Sequence, residues 1–190
     1  MRSILSLIAI PLLALSASAA DKDAWYAKAV KKVEVTFEPA EAKPGQTVTL
    51  KLTVYLTDGY HTYPTLQQDK AAAGMVNKIT FPEPAELIFV GETFDPKDGK
   101  VKAEPALQID QLRYHTGTVV YERQAVVSPK AAPGTVIVKL PVFSINVCDK
   151  DNCFPAKKLT PEAMFKVLDG PAVPVQKAYE TEVSKALAGK

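Results

Sequence analysis

Two side chains in the 190-residue chain can do covalent chemistry on sulfur, and they are its only cysteines, Cys148 and Cys153. Between them stand Asp149, Lys150, Asp151 and Asn152, and strand-like residues lead up to the first. Asp and Asn tolerate left-handed backbone and bond their own main chain, so the stretch Phe143 to Pro155 reads as a hairpin with a polar loop. Residues facing each other at the mouth of such a loop sit about 4.5–5.5 Å apart at Cα, inside the range a disulfide accepts. Cys148 and Cys153 are therefore expected to be able to bridge.

Three kinds of chemistry are open to such a pair. It can exchange: a thiolate attacks a disulfide sulfur, and a second thiol nearby resolves the mixed disulfide. It can be an inert staple, although closing so short a loop contributes only about 2 kcal/mol through lost unfolded-state entropy. It can ligate zinc or copper with the only two histidines, His61 and His115. The four-residue gap is wider than common zinc spacings, and nothing in the sequence places either histidine beside the thiols. No metal is expected. No helix N-terminus follows either cysteine to stabilise a thiolate. Lys150, Lys157 or His115 could assist, and Asp149 and Asp151 would oppose them.

The elements that must hold this pair are strands. Thr47 to Leu56 alternates strictly, with Val48, Leu50, Leu52, Val54 and Leu56 on one face, as in a half-buried antiparallel strand. Further strands are expected at Val33–Phe37, Lys78–Phe81, Leu87–Val90, Gly117–Val127 and Thr135–Leu140. Pro141 marks an edge or bulge, since it cannot donate to a ladder. Beyond it Phe143, Ile145 and Val147 share one face and Ser144, Asn146 and Cys148 the other, so the first thiol is expected to point away from the core and to be accessible. Residues 65–75 read as a polar loop with a helical turn at Ala71–Ala73, and 95–109 as loop. Phe165 to Leu168 closes the sheet or forms a short helix. Val175, Tyr179, Val183 and Leu187 recur every fourth residue, which predicts a loosely docked terminal helix after Pro174. Seven or so short strands with regular turns read as an all-β, immunoglobulin-like antiparallel β-sandwich with a short C-terminal helical tail.

Residues 1–20 read as a secretory signal peptide: Arg2, an apolar run from Ile4 to Leu15, then small residues to Ala20. The run is shorter than the ~20 apolar residues of a membrane span. Residues 21–170 are expected to form the sandwich domain and 171–190 the tail. The compartment that follows is periplasmic or extracellular, where disulfides persist. A formal net charge of +2, of which Arg2 supplies one, provides no electrostatic case for nucleic acid or an anionic membrane. The pairs Lys31–Lys32 and Lys157–Lys158 read as solvated surface.

Several segments, in order, resemble one family. Asp58-Gly59-Tyr60-His61-Thr62-Tyr63, Ile79-Thr80-Phe81-Pro82, Tyr114-His115-Thr116-Gly117 with Val120-Tyr121-Glu122-Arg123, and Val147-Cys148 through Cys153-Phe154-Pro155 are similar to the N-terminal (alpha) domain of the thiol:disulfide interchange protein DsbD and related periplasmic disulfide-corrector domains. The resemblance spans roughly residues 33 to 168. It implies an immunoglobulin-like fold that relays reducing equivalents between thioredoxin-fold proteins, one as electron donor and one as acceptor, without a cofactor and as a monomer. By position it implies that Cys153 forms mixed disulfides and Cys148 resolves them. It further implies that a cap loop, Leu112, Arg113, Tyr114 and His115 within Ile109–Thr116, shields the pair, with Tyr114 the main shield and Tyr60, Tyr63 and Phe154 as supporting aromatics. Ala156 stands where the family often has a second proline. The family's membrane carrier and C-terminal thioredoxin-like domain do not occur in this sequence, so the donor is expected to be a separate protein.

The runner-up is a binding module of the same fold whose disulfide is only structural. Under that reading Tyr60, Tyr63, Tyr114 and Tyr121 are packing aromatics and both histidines are simply hydrogen-bonded.

Overall fold

In a computed structural model, residues 23–189 are described; the signal-peptide reading falls outside them. A short helix α1 (Ala24–Ala29) leads into fourteen strand segments. They are β1 (Val30–Glu38), β2 (Glu41–Ala42), β3 (Thr47–Leu56), β4 (His61–Thr62), β5 (Lys78–Thr80), β6 (Leu87–Phe94) and β7 (Lys100–Glu104), then β8 (Ile109–Thr116), β9 (Thr118–Val127), β10 (Gly134–Lys139), β11 (Val142–Ile145), β12 (Val147–Cys148), β13 (Lys157–Leu159) and β14 (Glu162–Val167). The chain ends in helix α2 (Glu180–Ala188).

The chain forms an immunoglobulin-like β-sandwich. One layer has the order β1-β3-β9-β6 and is antiparallel throughout. In β3 the five apolar residues Val48, Leu50, Leu52, Val54 and Leu56 are all buried and the alternate positions half-buried, as the alternation predicts. The opposing layer is made of two three-stranded sheets, β10-β14-β2 and β13-β11-β5. Pro141 and Pro161 sit where the chain passes from one of these sheets to the other. Neither proline can donate to a ladder, and the Leu140 N–H donates instead to the Pro161 carbonyl at 2.9 Å. Phe143, Ile145, Phe165 and Val167 from this layer, with Val147 of β12, meet the β3 and β9 side chains in one core.

The C-terminal helix is docked rather than loose. Val183 is buried against Ile88, Val90 and Val126 on the outer face of β6 and β9, and Val175, Tyr179, Ala186 and Leu187 pack around it. The strap that leads to it crosses the turn at Gly45, where a Cβ would lie 1.9 Å from the Val173 carbonyl oxygen. Gly45 also has φ +86°, so only glycine satisfies both demands.

Two other expectations are corrected. Residues 95–109 are not simply loop, because Lys100–Glu104 forms β7, and Ile109–Thr116 is a strand rather than a cap loop. The two pair antiparallel, Lys100 with Tyr114 and Lys102 with Leu112. Their apolar alternation is too sparse to announce a strand, since three of the five residues of β7 are lysine or glutamate. Cross-strand pairing forms β7, while β8 also buries Ile109 and Leu112. A fourth small sheet, β12-β4-β8-β7, results; it carries Cys148, to which Cys153 is joined by an isolated antiparallel bridge.

Candidate functional site

Cys148 and Cys153 are bonded, with S–S 2.03 Å. Their Cα atoms are 4.0 Å apart, closer than the expected spacing for a hairpin mouth. The loop between them is closed by its own groups. The Asp149 N–H donates to the Asn152 carbonyl at 2.9 Å, and the Asp149 carboxylate accepts from the Asp151 and Asn152 amides at 2.8 and 2.7 Å. Those backbone bonds hold the Asp149 carboxyl below the ordinary aspartate range, so it is charged at neutral pH. Beyond the loop, the Phe154 N–H donates to the Val147 carbonyl at 3.0 Å.

The two sulfurs are not equivalent. Cys148 is 2% exposed, whereas Cys153 is exposed. Parity correctly turns Cys148 out of the main core, but the expectation that it is accessible fails. It belongs to a second apolar cluster with Tyr63, Ala72, Ile109 and Leu112, against which Met75 and Tyr114 pack. Over the pair lies a cavity of about 180 Å³ whose walls include His61, Tyr63, Leu112, Cys148 and Cys153.

Tyr63 makes the closest polar contact with the bridge. Its oxygen lies 3.0 Å from Cys148 Sγ and 3.6 Å from Cys153 Sγ. Disulfide sulfur carries no proton, so the phenol is the donor. Burial first, and then the Glu104 charge, pushes the Tyr63 hydroxyl up to about 12, which keeps it protonated.

A buried polar knot holds Tyr63 in place. Asn77 Nδ2 donates to Thr62 Oγ1 at 2.8 Å and to Tyr121 Oη at 2.7 Å, while its Oδ1 accepts from the Asn146 amide at 2.8 Å. The Tyr121 hydroxyl donates to the Tyr63 carbonyl at 2.6 Å, and Thr62 Oγ1 donates to the Asn146 carbonyl at 2.6 Å. Every member has a partner, which is the condition under which a buried polar cluster rigidifies a fold. The knot joins the main core, through Tyr121, to Tyr63 just after β4 and to β12, which carries Cys148. None of this follows from spacing: Asn77 sits outside any periodic run, and its side-chain partners lie 14 to 69 residues away.

The segment expected to cap the pair is positioned by side chains acting as strand partners. Gln67 Oε1 accepts from the Arg113 N–H at 3.1 Å, and Gln67 Nε2 donates to the Arg113 carbonyl at 2.8 Å. The Asp69 carboxylate accepts from the Asp110 and Gln111 amides at 3.0 and 3.2 Å. Of the four residues named for this segment, Leu112 forms part of the cavity wall. Tyr114 meets the His61 ring edge-on at 5.1 Å and has Lys102 over its face at 5.5 Å. Arg113 and His115 pack against the Gly99 turn, where an added Cβ would lie 2.9 Å from each.

The supporting aromatics divide into two groups. Tyr63 touches the sulfurs, while Phe154 stacks on Trp25 at 5.1 Å with planes 4° apart and lies 6.2 Å from Tyr60. Trp25 thus anchors the outgoing side of the hairpin to α1. Lys157 forms an ion pair with Asp23 beside it and so faces α1.

The histidines separate likewise. His61 stands directly across from Cys148 in the β4–β12 ladder, a juxtaposition that spacing did not show. His115 pairs across from Thr62 in β4–β8, and both its ring nitrogens are buried without partners. Burial lowers the pKa of each. Among the described residues, no three His, Cys, Asp or Glu side chains cluster so as to hold a metal ion. No described helix is long and apolar enough to cross a membrane.

No family model matches the chain. No curated protein matches it either. Among solved structures it is similar to the N-terminal periplasmic domain of ScsB from Proteus mirabilis, at 12% identity and a TM-score of 0.42, over 78% of this chain and 50% of that one. The chain therefore spans half the length of that structure.

Proposed function

We propose that this protein is a periplasmic or secreted thiol–disulfide exchange protein that relays reducing equivalents between thioredoxin-fold partners through Cys148 and Cys153. The asymmetry of the bridge carries this reading: both cysteines line one cavity, but Cys153 is exposed and Cys148 is buried. An exchange pair needs one sulfur that a partner thiolate can reach in line and a second held ready to resolve the mixed disulfide. Cys153 fits the first role and Cys148 the second. The bridge sits in the second cluster, apart from the main core, as suits a bond that opens and closes without unfolding the sandwich. Leu112 and Tyr114, latched by Gln67 and Asp69, act as the shield on the buried side. The resemblance to DsbD alpha domains supports the same roles and the same class of partner.

Two measurements test the reading. The reduction potential of the pair should lie above about −300 mV, the region below which structural disulfides resist the glutathione pool. Cys148→Ser should trap a covalent adduct with a thioredoxin-fold protein through Cys153, whereas Cys153→Ser should not. A potential well below that value, together with no adduct from either variant, would leave the bridge a structural staple in a binding module.

A further inference from the structure

Resting on the exchange reading, we infer that His61 is the proton acceptor for the Cys148 thiol in the step that resolves the mixed disulfide. His61 and Cys148 are directly opposed in the antiparallel β4–β12 pair, so their side chains leave the sheet on the same face, with Cβ atoms about 5 Å apart. Both line the cavity over the bridge. The His61 residue is 8% exposed, and its Nε2 is buried with no hydrogen-bond partner. A buried polar nitrogen left unpaired is costly, and such orphans in native folds call for an explanation. In the oxidised protein Cys148 has no proton to offer. In the dithiol it does, and Cys148 is the residue paired across the ladder from His61.

The surroundings favour a neutral imidazole. Burial and Lys102 of β7 lower the His61 pKa, while Glu104 of β7 and Asp149 of the hairpin act in the opposite sense. The Tyr63 and Tyr114 rings meet the imidazole edge-on at 5.8 and 5.1 Å and fix its plane. Lys150 and Asp151 complete the charged rim. A neutral imidazole is the form that accepts a proton, and it persists above a pKa that lies below the ordinary histidine value.

The sequence of bonds balances. The Cys153 thiolate attacks one sulfur of a partner disulfide; the partner S–S bond breaks and its other sulfur leaves with the electron pair, taking a proton from water. Cys148 S–H then passes its proton to His61 Nε2, and the resulting thiolate attacks Cys153 Sγ. The Cys148–Cys153 bond forms, the second partner sulfur leaves as thiolate, and the His61 imidazolium returns the proton to it. Two electrons pass from the Cys148–Cys153 dithiol to the partner disulfide. In reverse, the imidazolium protonates the departing Cys148 sulfur.

The aromatic disulfide 5,5′-dithiobis(2-nitrobenzoate) tests this without a protein partner, because each attack releases one coloured thiolate. Reduced protein should show a first release from attack by Cys153 and a second from resolution by Cys148. In His61→Gln, which keeps the side chain's size, and in His61→Ala, the first phase should stay within twofold while the second slows by about tenfold or more near pH 7. The wild-type second phase should rise with pH through an ionisation below the ordinary histidine value, and the variants only through that of the Cys148 thiol itself. Added imidazole should restore the second phase in His61→Ala, an effect that a packing role would not produce. A second phase unchanged in rate and pH profile in both variants overturns the role of His61 and leaves the relay reading standing. A wild-type protein that shows no second phase overturns both.

Discussion

The hydroxyl of Tyr63 lies 3.0 Å from Cys148 Sγ, although 85 residues separate them in the chain. The phenol remains a donor because burial raises its pKa, and a donor beside sulfur stabilises a thiolate once the bridge opens. Hydrogen bonds to charged groups are worth about 1.5–3 kcal/mol. Tyr63→Phe should therefore raise the pKa of the reduced Cys148 thiol by roughly one unit or more, since each unit is about 1.4 kcal/mol. The rate of alkylation against pH in a Cys153→Ser background reads that pKa directly. An unshifted profile would mean that the phenol serves packing alone.

Asn77 is predicted to matter more for stability than its polarity suggests. Asn77→Ala removes the donor to Thr62 and Tyr121 and the acceptor for the Asn146 amide, all buried or nearly so. Leaving buried polar groups unpaired costs about 1–3 kcal/mol each, and some relief from rearrangement is expected. A loss of about 2–4 kcal/mol in urea unfolding follows. A loss below about 1 kcal/mol would show that water or neighbouring groups replace the amide.

The proposed shield can be divided between two residues. Leu112 is part of the cavity wall, whereas Tyr114 is turned toward His61 and Lys102. Leu112→Ala should accelerate alkylation of Cys148 several-fold, at a stability cost of about 2–5 kcal/mol. Tyr114→Ala should accelerate it less. The opposite ranking, measured well below each variant's unfolding midpoint, would make Tyr114 the principal cover.

The latch on β8 should fail in acid. Backbone amides of Ala71, Gln111 and Asp110 hold the Asp69 carboxyl below its ordinary value. A depressed native pKa means that the unfolded state binds the proton more readily, so this contribution to stability is fully present above the unfolded aspartate pKa. It is lost as pH falls through the native value. Hydrogen exchange at the Asp110 and Gln111 amides should rise across that interval after correction for intrinsic rates, and Asp69→Ala should show the faster exchange already at neutral pH. Protection that is equal in the variant would assign the latch to Gln67 alone.

The sequence by itself determined the layers and the chemistry at hand. The alternation of Val48 through Leu56 obliges one face of β3 to be buried, and the polar residues between Cys148 and Cys153 oblige the chain to turn between them. Those signals are local, because side-chain period and turn preference act over a few residues. Tertiary structure alone decided which sulfur is covered and what touches it. Register among β12, β4 and β8 sets His61 across from Cys148 and β8 beside them. The knot around Asn77 then fixes where Tyr63 lies. Pairings across such separations have no period to reveal them. They exist because backbone groups and buried side chains must find partners wherever the fold brings them.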